Sequence, residues 1–141
     1  MNREIKFKAK RKDNNEWVYG YVIKSPYDTY YIYPILDKRH RNWLHCPLAE
    51  VIPETICEYT NLKDKNDVEI YENDDVRCKL IDQVKEKGKW INKETYETYQ
   101  VIYSQEDLGF RFKDEWRTVW QFKNCELEVI GNKFDFDEEV K

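Results

Sequence analysis

Near the start of the chain, Ile5, Phe7 and Ala9 alternate with Lys6, Lys8 and Lys10. Successive side chains of a β-strand point to opposite faces, so this strict period of two predicts a half-buried strand. Asp13-Asn14-Asn15 follows with turn chemistry. Trp17-Val18-Tyr19-Gly20-Tyr21-Val22-Ile23 gives a second strand, and the two read as a hairpin. Ser25-Pro26-Tyr27-Asp28 breaks the pattern. Strands are then predicted over residues 29–33, 55–59, 68–71, 76–81, 96–103, 110–112, 116–122 and 126–130, with a shorter one at 43–46 stopped by Pro47. Residues 48–52 are ambiguous and fit a helical turn. Short strands about ten residues apart predict an all-β barrel or sandwich with little helix.

The strongest loop signal is Asn61-Leu62-Lys63-Asp64-Lys65-Asn66-Asp67. An internal boundary is expected there, with an N-terminal β-hairpin or meander region over residues 1–60 and a second body over 61–132. Residues 133–141 form an acidic tail. Lys85-Glu86-Lys87-Gly88-Lys89 reads as a charged hairpin tip. With 141 residues the chain can bury a real core. Aromatics make up 16%, so a few large rings carry the apolar load and disorder is excluded.

Net charge is −4, which is unlike a dedicated DNA binder and too mild for a DNA mimic, though a local basic patch is compatible with it. No apolar run approaches the ~18 residues of a membrane span, and Met1-Asn2-Arg3-Glu4-Ile5-Lys6 opens no signal peptide. The expected location is the cytoplasm. Cys46, Cys57, Cys78 and Cys125 contain no CxxC pair and read as reduced, mostly buried thiols.

Four segments resemble the YopX-like family. Thr55-Ile56-Cys57-Glu58-Tyr59-Thr60-Asn61-Leu62-Lys63-Asp64-Lys65-Asn66 resembles its "TvgqyTGLkDknG" stretch. Glu69-Ile70-Tyr71-Glu72-Asn73-Asp74-Asp75-Val76 is similar to its "eIYEGDIV". Arg3-Glu4-Ile5-Lys6-Phe7-Lys8-Ala9 looks like its "REIKFRAW" opening, and Glu128-Val129-Ile130-Gly131-Asn132 like its "eVIGNi" close. Lys10 stands where the family has Trp. Asn61 and Asn73 stand where it has Gly, and both positions are expected to need a positive φ, which Asn tolerates. The resemblance implies a bacteriophage or prophage origin and a small SH3-like barrel in the second half. It implies no activity and carries over no catalytic residue. The motif also has a structural account, in which the Asp74 carboxylate accepts backbone N–H bonds in a turn.

Catalytic and metal chemistry find little support. His40, His45, Cys46 and Cys57 lack the paired spacing of a zinc site. His45 and Cys46 are strand neighbours pointing to opposite faces, and two histidines build no Ser–His–Asp set. Asp64, Asn66 and Asp67 fail the calcium-loop pattern at Val68. Four glycines make no phosphate loop. No enzyme activity, metal or cofactor is expected.

Two basic stretches remain. One is Lys38, Arg39, His40 and Arg41 with Trp43. The other is Lys85, Lys87, Lys89 and Lys93 beside Trp90. Cations interleaved with rings suit single-stranded nucleic acid, while the plainer reading of each is a solvated loop with a ring in the core. The candidate binding residues are Lys38, Arg39, Arg41, Trp43, Lys87, Lys89 and Trp90. Richness in Tyr, Trp and Arg favours a protein-interaction module for a host or phage protein, with a nucleic-acid-binding accessory protein as the alternative. Homo-oligomerisation through open strand edges is a further possibility. Exposure separates the two: Trp43 and Trp90 exposed beside the lysines favour nucleic acid, and rings exposed elsewhere favour protein. Arg39→Glu together with Arg41→Glu is expected to leave the melting temperature unchanged. Unfolding of that variant would make the loop structural.

Overall fold

The structure is a computed structural model and describes residues 3–35, 48–115, 118–122 and 125–135. The strands are β1 (Phe7–Lys10), β2 (Trp17–Lys24), β3 (Tyr30–Pro34), β4 (Ala49–Val51), β5 (Cys57–Lys63), β6 (Glu69–Tyr71), β7 (Asp74–Glu86), β8 (Lys89–Ser104), β9 (Gly109–Phe112) and β10 (Glu128–Asn132). Among the described residues the helical pieces are two 3-10 turns, Pro53–Thr55 and Val119–Phe122. The all-β class read from the alternation is what the chain adopts. It divides into two compact units, one holding Met1–Asn61 and one Leu62–Asp135. Strand β5 runs through the boundary.

In the first unit the antiparallel order is β4-β3-β2-β1-β5. The sheet curls until β4 meets β1 again: Arg11 bridges Val51, and the Ile52 N–H donates to the Lys10 carbonyl at 2.9 Å. Ala9, Ile32 and Val51 fill the interior, with Phe7, Val18, Val22, Tyr30 and Ile56 around them. Gly20 is required here, because a Cβ would lie 2.0 Å from the Tyr33 carbonyl oxygen.

The other face of β1 departs from the expected half-solvated strand. Lys6, Lys8 and Lys10 are only 9%, 7% and 3% exposed. Lys6 Nζ sits 4.8 Å from the Tyr59 ring centroid, and Lys8 Nζ 4.7 Å from that of Trp17. A lysine stem covers apolar surface while its ammonium meets a ring's electron-rich face, so alternation alone misassigned these side chains to solvent.

Residues 48–52 form strand β4 rather than a helical turn. The turn comes next, where Pro53 fits the first helical position. Thr55 belongs to it: its hydroxyl donates to the Ile52 carbonyl at 2.7 Å and accepts the Lys10 N–H at 2.9 Å. Strand β5 therefore starts at Cys57, two residues later than the pattern predicts. It also continues to Lys63, so the loop begins at Asp64 rather than Asn61. Asn61 keeps its strand place at φ 67°, and Asn73 has φ 68°, as both substitutions for glycine require.

The second unit has the order β10-β7-β8-β9. Its core is Ile70, Val76, Cys78, Val101, Phe112, Val119, Phe122 and Leu127. Tyr99 stacks on Phe112 at 5.0 Å, and Phe112 meets Phe122 edge-on at 4.8 Å. In the segment expected as a strand over 116–122, Thr118 makes one bridge to Arg111 and Val119–Phe122 is a 3-10 turn. Val119 and Phe122 are both buried, and a spacing of three puts both on one side of a 3-10 turn but not of a strand. The sheet of the first unit and the four-stranded sheet of the second thus share an order: the last strand beside the first, then the second and third, with a 3-10 turn ahead of the last.

Two buried carboxylates fasten the turns. Asp64 Oδ1 accepts the N–H groups of Asn66 and Val68, and its Oδ2 accepts that of Val129 in β10. Asp74 is fully buried. Its Oδ2 accepts the Tyr71 N–H and its Oδ1 the Asn132 side-chain amide, both at 2.8 Å. Asp74→Ala strands both donors in the core. We expect a loss of about 3 kcal/mol, read by urea unfolding. A loss below about 0.5 kcal/mol would show the turn holds without this carboxylate.

The neighbouring Asp75 carboxyl is pushed above the ordinary aspartate range, first by burial, then by the charges of Asp74 and Asp135. The native state therefore holds this proton more tightly than the unfolded chain. Its contribution to stability is fully present in acid and is lost as pH rises through the raised native value. Asp75→Asn is expected to raise the melting temperature at neutral pH and to match the parent in acid. A shift equal at both ends of a melting series against pH would discard this reading.

Candidate functional site

The site grows from the register of β7 with β8. Their pairing runs from Asp75 opposite Gln100 out to Glu86 opposite Lys89. The connection is two residues, Lys87 at φ 49° and Gly88 at φ 78°. Positive φ at both positions makes the type I′ turn whose twist suits a hairpin. On one flank β10 pairs only with residues 74–77, and on the other β9 pairs only with Val101 to Ser104. From Ile81 opposite Glu94 to the tip, the described residues therefore form a two-stranded arm with both edges open. All of its side chains are exposed except half-buried Val84.

Cross-strand partners share a face, so the register sorts the arm. One face carries Lys85 opposite Trp90, Gln83 opposite Asn92 and Ile81 opposite Glu94. The other carries Glu86 opposite Lys89, Val84 opposite Ile91 and Asp82 opposite Lys93. Trp90 is 68% exposed. Residues 83–93 hold four lysines against one glutamate, a local charge of +3 in a chain of net −4.

The base of the arm behaves differently. Lys79 Nζ lies 3.1 Å from Glu94 and 3.4 Å from Glu126. The hydrogen bonds it donates to these carboxylates, Glu94 first, hold the Lys79 ammonium above the usual lysine range. The Arg77 guanidinium lies 5.2 Å from the Tyr96 ring centroid and also pairs with Glu128. Among the described residues, Lys85, Lys87, Lys89 and Lys93 make no ion pair. Cations at the base are neutralised, and those toward the tip are not.

Of the residues singled out by sequence, Lys87, Lys89 and Trp90 come together at this tip. Lys38, Arg39, Arg41 and Trp43 lie outside the described residues, as do His40, His45 and Cys46. Sequence patterning missed Gln83, Asn92 and Ile91, because residues 82–95 read as neither strand nor core. An arm solvated on both faces has no hydrophobic period to detect. The two-residue Lys87-Gly88 loop was the available signal, since pairing outward from it generates the whole register.

A second exposed surface lies in the first unit. Tyr19, Tyr21 and Ile23 of β2 are all exposed, with Tyr33 opposite Tyr21 and Tyr31 opposite Ile23 on β3. Cys57, Cys78 and Cys125 form no disulfide among the described residues. Among the described residues no cluster of His, Cys, Asp or Glu is placed to hold a metal ion. No helix among them is long and apolar enough to cross a membrane.

Comparison with known proteins fits the segment resemblances. A search of curated proteins finds no match. A family model described as YopX protein matches residues 6–138. That span takes in both units, the Asp74 turn and the hairpin arm, so the chain belongs to the YopX family.

Proposed function

We propose that this chain is a phage- or prophage-encoded protein that acts by binding rather than catalysis, with nucleic acid as its partner. The observation that carries the reading is the exposed Trp90 ring lying opposite Lys85, with Lys87 and Lys89 beside it. A ring open to solvent offers a stacking surface, and unneutralised ammonium groups attract phosphates. The net charge of −4 does not oppose this, because residues 83–93 toward the tip of the arm carry +3. The shared strand order, with its 3-10 turn ahead of the last strand, supports an SH3-like barrel for the second unit and extends that reading to the first.

A protein partner is the second reading, favoured by the ring surface of Tyr19, Tyr21 and Ile23. Exposed rings suit the centre of a protein interface.

The test is a titration of labelled oligonucleotides, single-stranded and duplex, over a salt series. Binding in the range of about 1 to 100 µM that weakens with salt is the expected result, weaker still in Trp90→Ala. No binding at low salt would remove the nucleic-acid reading. The protein reading would then be tested by capture from host lysate, with loss of the captured partner in Tyr19→Ser, Tyr21→Ser as its expected signature.

A further inference from the structure

We infer that the β7–β8 arm is a ribbon that enters the major groove of duplex DNA, its Trp90 face toward the bases. The inference rests on the nucleic-acid reading above and specifies the form of nucleic acid and the mode of entry.

Dimensions come first. The major groove is about 12 Å wide and admits a two-stranded ribbon. Two strands lie about 4.8 Å apart, and six residue pairs at about 3.4 Å each give an arm near 20 Å long. A neighbouring strand on either edge would make the ribbon too wide, and none of the described strands flanks it beyond Arg77 on one side or Val101 on the other.

The chemistry of the face comes second. Gln83 and Asn92 sit opposite each other, both exposed, and neither makes a side-chain hydrogen bond among the described residues. A carboxamide presents one donor and one acceptor together, the pair that matches the adenine edge in the major groove. Lys85 and Trp90 flank this pair toward the tip. Lys87, Lys89 and Lys93 stand at the tip and on the reverse face, placed for phosphates on the groove walls.

A single strand fits less well. Such sites stack successive bases on several rings. The face offers Trp90 and Tyr96, but the Tyr96 ring already carries Arg77 at 5.2 Å. One ring remains, beside two carboxamides for which stacking has no use. An acidic protein partner would use the lysines but would leave the carboxamide pair unexplained.

The experiment measures the full-length protein by fluorescence anisotropy on one duplex and on each of its single strands. Duplex is expected to bind more tightly. Its log–log salt slope should approach about −2.7, the value for three phosphate contacts. Methyl green, a major-groove ligand, should displace the protein, and netropsin, a minor-groove ligand, should not. Lys85→Glu, Lys87→Glu, Lys89→Glu together should weaken binding more than about tenfold and flatten the slope. Gln83→Ala with Asn92→Ala should weaken binding to A·T-containing duplex about fivefold and leave the slope unchanged.

No duplex or single-strand binding would overturn both this inference and the reading beneath it. Preferred single-strand binding, lost in Trp90→Ala and indifferent to the carboxamide pair, would keep nucleic acid and overturn groove entry. Displacement by netropsin alone would do the same. Should the charge-reversed variant misfold, the groove ligands on the parent protein decide the matter without it.

Discussion

The second unit depends on a carboxylate removed from water. Asp74 lies at the start of β7, and its two oxygens hold the Tyr71 N–H and the Asn132 side chain. The chain is thereby fastened on one side to the end of β6 and on the other to the end of β10. Asn73 supports the same corner by a route that needs its positive φ: its N–H donates to the Val101 carbonyl, and its carbonyl accepts the Lys133 N–H. A polar group in a core is tolerable only when it is hydrogen-bonded, and here the donors come from segments far apart in sequence. Asp64 does the same at the loop after β5, with its third donor also supplied by β10. Asp64 and Asp74 of the family motifs are therefore construction elements.

Legibility in the sequence followed burial. Where one face of a strand meets a core, alternation marks it, and β1, β2, β3 and β9 lie within one or two residues of their predicted places. Where both faces are wet, as from Asp82 to Thr95, the pattern vanishes although the backbone stays regular. Where the repeat is three rather than two, as at Val119 and Phe122, apolar residues belong to the core but not to a strand. Lys6, Lys8 and Lys10 fail for a different reason: their burial depends on the Tyr59 and Trp17 rings, one of them dozens of residues away. The candidate site was half legible. Lys87, Lys89 and Trp90 stood out as cations beside a ring, but the face that Trp90 shares with Lys85, Gln83 and Asn92 exists only through the register.

The common strand order of the two units shows how little of a topology is written as a repeat. The hairpin loop between β1 and β2 is long, whereas that between β7 and β8 is two residues. The third strand leads to β4 in one unit and to a single bridged residue in the other. Such differences in connection length erase any fixed period, while hydrogen-bonded order and the late 3-10 turn persist.

The arm also stands outside the cooperative core. Its outer six residue pairs rest on backbone hydrogen bonds and a turn, with Val84 as the sole half-buried side chain. A two-stranded ribbon without a packed face is at best marginally stable in water. Its amide protons therefore exchange through fraying that leaves the Phe112–Phe122 core intact, so the unit has two levels of local stability. A ligand that seizes the arm must supply the free energy of ordering it. Affinity is lowered by that amount, and in return the ribbon can follow the curvature of whatever it meets.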